Sequence, residues 1–77
     1  MPPTFVECYT EVMHSFPASS PTTLKSFATR LHRSLFDEPK HRMDEKEFKL
    51  RTVQLATALE SMSDWPGDFN PEKQRRF

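Results

Sequence analysis

The sequence predicts an all-α fold, a small bundle of three main helices, from three observations. Apolar residues recur at spacings of three and four in every long segment. Prolines, of which there are seven against a single glycine, divide those segments. Strand signals are weak: no β-branched run alternates with polar residues, and no hairpin dipeptide such as Asn-Gly occurs.

The first helix is expected over residues 5–15. Thr4-Phe5-Val6-Glu7 reads as a capping box, in which Thr4 accepts from an early backbone N–H and Glu7 reaches back to the cap. Behind it Phe5, Cys8, Tyr9, Val12, Met13 and Phe16 keep to one helical face. Pro17 ends the run, because proline has no N–H to continue the ladder.

A turn-rich linker, residues 17–21, leads to a second helix expected over about 22–36. Ser20, Thr22 or Thr23 can cap it, and Pro21 is tolerated in a first turn, where its missing N–H would be unpaired anyway. Leu24, Phe27, Ala28, Leu31 and Leu35 form its apolar stripe, while Lys25, Arg30, His32 and Arg33 give it a basic outer side.

Asp37-Glu38-Pro39 breaks or restarts the chain; a third helix can start there or at Asp44-Glu45-Lys46-Glu47, where acid meets the positive end of the helix dipole, and it is expected over about 44–64. Trp65-Pro66-Gly67 would stop it. Phe48, Leu55, Ala58, Leu59 and Met62 share one face. Lys46, Leu50, Val53 and Thr57 share another, within about 60° of each other for Leu50, Val53 and Thr57. Two apolar faces imply either a central position or a contact beyond the chain itself. Asn70-Pro71 then starts a short C-terminal helical turn, so the chain reads either as a single closed domain over 1–77 or as the amino-terminal part of a longer protein.

The size of the chain bears on function. A domain of 77 residues buries only about 60% of its unfolded surface, which leaves a lean core. One cysteine, Cys8, rules out an intrachain disulfide. Association with a partner or a second copy is therefore a natural source of further burial. Lysines and arginines equal aspartates and glutamates at 11 each, which argues against broad phosphate neutralisation. The excess of positive charge is local, in residues 25–51, where Lys25, Arg30, Arg33, Lys40 and Arg42 could track a phosphate backbone.

Catalytic chemistry lacks its usual requirements. Phosphate loops and nucleophile elbows need several close glycines. Cys8 and His14 stand six apart, on nearly opposite faces of a helix, and Cys8 falls on the apolar stripe. Cys8, His14, His32 and His41 have no paired metal-ligand spacing. We therefore expect no catalytic residues, no cofactor and no metal. No apolar run approaches the roughly 20 residues of a membrane span, and no export signal is evident. With a lone thiol, that places the chain in the cytoplasm or nucleus.

Leu55-Ala56-Thr57-Ala58-Leu59-Glu60-Ser61-Met62-Ser63-Asp64 resembles the core of a BH3 helix, with apolar residues at i, i+4 and i+7 followed by a small residue and an aspartate. The resemblance implies apolar anchors for a partner groove and an aspartate for a partner arginine. Ser63 stands where that family has glycine, and Pro66 where the fourth anchor belongs. Packing of the same residues into the chain's own core is the competing expectation.

The function expected is a non-enzymatic helical protein–protein interaction or assembly module. Its candidate contact surface is Lys46, Leu50, Val53 and Thr57, and its partner is a protein or a second copy of itself. The alternative is a small helical nucleic-acid-binding protein that uses the basic side of the second helix.

Overall fold

The computed structural model describes residues 3–36, 44–67 and 69. It is all-helical, with α1 at Phe5–Ser15, α2 at Pro21–Phe36 and α3 at Glu45–Glu60. Among the described residues no helix is long and apolar enough to cross a membrane.

Both arms of the capping box at α1 are formed. The Glu7 N–H donates to Thr4 Oγ1 at 3.2 Å, and the Thr4 N–H donates to Glu7 Oε1 at 2.8 Å. Two otherwise orphaned donors are satisfied. The helix closes at Phe16, whose N–H reaches the Val12 carbonyl at 2.9 Å. Of the three candidate caps for α2, Ser20 serves: its hydroxyl accepts from the Thr23 N–H at 3.2 Å, and Pro21 is the first helical residue. α2 thus starts one residue before the expected position. Asp44 caps α3, its Oδ1 accepting from the Glu47 N–H at 2.8 Å.

The far end of α3 departs from expectation. The helix stops at Glu60 instead of continuing to Asp64. The Met62 N–H turns back to the Leu59 carbonyl at 3.0 Å, and the Ser61 hydroxyl takes the Ala58 carbonyl at 2.8 Å. These short-range bonds satisfy carbonyls that another turn would have used. The reason lies downstream. The Phe69 N–H donates to Glu60 Oε2 at 2.6 Å, and its ring packs 4.7 Å from both Phe16 and Phe27. A helix continued to Asp64 would carry Phe69 along its axis, away from those rings.

Phe5 meets His32 edge-on at 6.1 Å and Phe16 meets Phe27 at 5.6 Å, so α1 and α2 run antiparallel. Glu11 and Lys49 approach to 3.7 Å, and the segment after α3 reaches the end of α1. α3 therefore runs antiparallel to α2 as well, as sequential neighbours in a bundle should.

The core is centred on α2. Leu24, Phe27, Ala28, Leu31 and Leu35 are buried, against Cys8, Val12 and Phe16 of α1. From α3 only Thr52, Ala56 and Leu59 are buried, with Phe48 and Leu55 half-covered, and Phe69 completes the cluster. Three sequence expectations are corrected here. Met62, 39% exposed, lies past the end of α3 and outside the stripe assigned to it, and Ala58 is exposed as well. Met13 of α1 is also largely exposed. α3 is not central: it lies against both other helices with a face turned toward Thr52 and Ala56. Thr52 is buried without penalty because its hydroxyl donates to the Phe48 carbonyl at 2.9 Å. Its remaining atoms pack like those of a small aliphatic residue.

The expected C-terminal helical turn, from Asn70 onward, lies outside the described residues.

Candidate functional site

The outer face of α3 follows from its inner one. With Thr52, Ala56 and Leu59 held in the core, steps of about 100° per residue put Leu50 and Thr57 on the far side, with Lys46 and Val53 on the adjoining flank, about 90–115° round from the centre of the buried face. All four are exposed. Leu50 is 54% and Val53 52% exposed, a large aliphatic pair one turn apart. The Thr57 hydroxyl donates to the Val53 carbonyl at 3.0 Å, so its donor is used within the helix and adds no polar demand to the face. Lys46 stands at the amino-terminal end of this strip and Glu60 at the carboxyl-terminal end, both exposed.

Glu60 was missed at the sequence level, because a helix running to Asp64 makes Glu60 one mid-helix acid among several. Its position as the last residue of α3 marks it only in the folded chain. Beside the strip, Lys49 is engaged with Glu11 and Arg51 with Glu47, at 3.7 and 3.4 Å.

No family model matches the chain, and no curated protein or solved structure matches it. The remaining observations on function come from its own residues.

The basic side of α2 is less coherent than its sequence suggests. Lys25 and Arg33 are exposed. Arg30 lies over the Trp65 indole, its guanidinium carbon 5.3 Å from the ring centroid, and so is partly committed to the fold. Lys25 and Arg30 are about 140° apart around the helix, too far to form one stripe. Lys40 and Arg42 lie outside the described residues.

Cys8 is fully buried between α1 and α2, and burial pushes its thiol from an ordinary 9.0 up to about 11, with the Glu7 carboxylate adding to the rise. A thiol held protonated in this way is a poor nucleophile. His14 is exposed at the end of α1 and does not share the thiol's environment. Half-buried His32 packs against Phe5. His41 lies outside the described residues. Among the described residues no three His, Cys, Asp or Glu side chains gather as a metal site would require.

The BH3-like segment is divided between the core and the turn after α3. Leu59 is 2% exposed within the chain's own core and Leu55 is half-buried, while Met62, Ser63 and Asp64 follow the helix end. Of the apolar anchors that the resemblance would offer to a groove, Leu55 and Leu59 are already used internally, and Met62 is exposed past the end of the helix.

Proposed function

We propose that this chain is a non-enzymatic helical interaction module that binds a protein partner through the outer face of α3. The observation that carries this reading is the exposed Leu50–Val53 pair, flanked by Lys46 and Thr57, on a helix whose opposite face is already in the core. Single exposed apolar residues are common on protein surfaces. Two on adjacent turns of one helix, on a domain with a lean core, have more to gain from being covered. A second copy of the chain is the simplest partner, since a two-fold contact needs no other gene product. The lone buried thiol suits the cytoplasm or nucleus.

The test is capture of partners by the wild type and by Leu50→Glu/Val53→Glu, with helicity checked in both. Loss of partners from a folded double mutant is the expected result. Retention of every wild-type partner would overturn this reading.

A second reading, nucleic-acid binding by α2, is favoured by one observation: Lys25 and Arg33 are exposed on a helix with no acidic residue. It predicts salt-sensitive retention on heparin or RNA that Lys25→Glu/Arg33→Glu abolishes. Such a result would displace the protein-partner reading.

A further inference from the structure

We propose that the occupant of the outer face of α3 is a second copy of the same helix, paired antiparallel about a two-fold axis beside Val53. In this pair Lys46 of each copy meets Glu60 of the other. The inference rests on the reading of this face as a docking surface and adds the partner, the direction and the register.

The geometry comes from spacing. Lys46 and Glu60 are each seven residues from Val53, in opposite directions, and so stand about 10 Å to either side of it along the axis. Around the axis both fall within about 20° of Val53. A two-fold operation that reverses the helix direction at Val53 puts each Lys46 at the height and on the side of Glu60 in the second copy. The same operation sets Leu50 across from Thr57 and packs Val53 against itself. Val53 at the centre of the contact is then bordered by Leu50 on one side and by Lys49, paired with Glu11 of its own chain, on the other, and the two ends carry opposite charges. A parallel pair would instead set lysine against lysine and glutamate against glutamate.

Charge order along α3 supports the same direction. Lys46 lies in the first turn, among the acidic Glu45 and Glu47, and Glu60 lies in the last turn, which holds no basic residue. In an antiparallel pair Lys46 stands beside the negative end of the neighbouring helix and Glu60 beside its positive end. Lys49 does not compete for this role, because it lies beside Glu11 of its own chain. Glu60 keeps its other carboxylate oxygen for the second copy, since Oε2 is the atom that accepts from Phe69.

One 16-residue helix is about 24 Å long and about 10 Å wide, so a helix pair covers on the order of 500 Å² in total, short of the ~1,200 Å² typical of stable interfaces. The pair is therefore a weak one, dissociating at micromolar rather than nanomolar concentrations.

Sedimentation of the full chain from about 5 to 500 µM, at low and high sodium chloride, tests the proposal. The wild type should dimerise and weaken with salt. Leu50→Glu/Val53→Glu should be monomeric throughout with unchanged helicity. Lys46→Glu should weaken the dimer about tenfold, because two attractive pairs become repulsive, and its remaining association should strengthen with salt. A mixture of Lys46→Glu with Glu60→Lys should associate better than either alone, both cross-pairs then being complementary, with the helicity and melting temperature of Glu60→Lys measured first because that variant also loses the bond to the Phe69 N–H. A monomeric wild type would overturn the self-pairing. If Leu50→Glu/Val53→Glu nevertheless lost a partner protein, the docking surface would stand. If it kept every partner, both would fall. A dimer that survives the double mutant would use another face, and a dimer indifferent to Lys46→Glu would have another register. Either result overturns the pairing described here.

Discussion

The backbone N–H of Phe69 donates to the Glu60 carboxylate at 2.6 Å, tying the segment after α3 to the last residue of that helix. The bond fixes where the chain turns back, and the turn delivers Phe69 between Phe16 and Phe27 with 3% of its surface exposed. One aromatic residue with no helical periodicity thereby fills the end of the core that α3 leaves uncovered.

Phe69→Ala should therefore cost about 3–5 kcal/mol, through lost burial and the cavity that remains. Met62→Ala should stay within about 0.5 kcal/mol, since Met62 is exposed beyond the helix. Urea unfolding of the two variants checks the pair of values. Equal losses would mean that the aromatic cluster does not hold the tail.

Gly67→Ala should destabilise the same corner. An added Cβ would lie 2.6 Å from Thr23 Cγ2 and would also collide with Trp65 Nε1. Thr23 is buried and the Trp65 ring is held between Arg30 and Phe69, so neither yields freely. A cost of about 1–3 kcal/mol follows from forced repacking. Indole fluorescence, which reports directly on Trp65, should shift together with the melting temperature.

Thr4→Ala should lower stability by about 1 kcal/mol, because both arms of the capping box depend on a side chain at this position or opposite it. Thermal melts followed by circular dichroism would show this as a lower midpoint with little change in native helicity.

Stability should also fall in alkali through Cys8. Its thiol is raised to about 11 in the folded chain, so the folded state holds the proton more tightly than the unfolded one. The contribution is complete below the unfolded value near 9.0 and is lost as pH climbs toward 11, to an extent on the order of 2 kcal/mol. The measurement is the difference between wild type and Cys8→Ala, which removes the thiol. The wild type should lose more stability than the variant between pH 9 and 11.

Leu59→Ala and Phe27→Ala, each removing a buried side chain from a separate helix, should cost about 2–5 kcal/mol. Denaturation midpoints that did not move in either variant would contradict the core described above.

What the sequence determined by itself were the features written in local chemistry. Thr4 with Glu7, and Asp44, each place a hydrogen-bonding side chain against the first turn of a helix, and helix starts depend on contacts within four residues; at α2 the sequence narrowed the cap to Ser20, Thr22 or Thr23, and the fold chose Ser20. The α2 stripe was equally legible, since Leu24, Phe27, Leu31 and Leu35 leave no competing face. Tertiary structure decided what depends on contacts distant in sequence. α3 ends at Glu60, where the side chain of that residue takes the Phe69 N–H and the Phe69 ring packs against Phe16 and Phe27, contacts nine or more residues apart in sequence. Thr52 is buried because the internal bond to the Phe48 carbonyl satisfies its hydroxyl, an effect that a polar label conceals. The side of α3 left to solvent followed from that rotation. Leu50 and Val53 already stood apart in the sequence, but Glu60 became the far end of their strip only once the helix had stopped beside it.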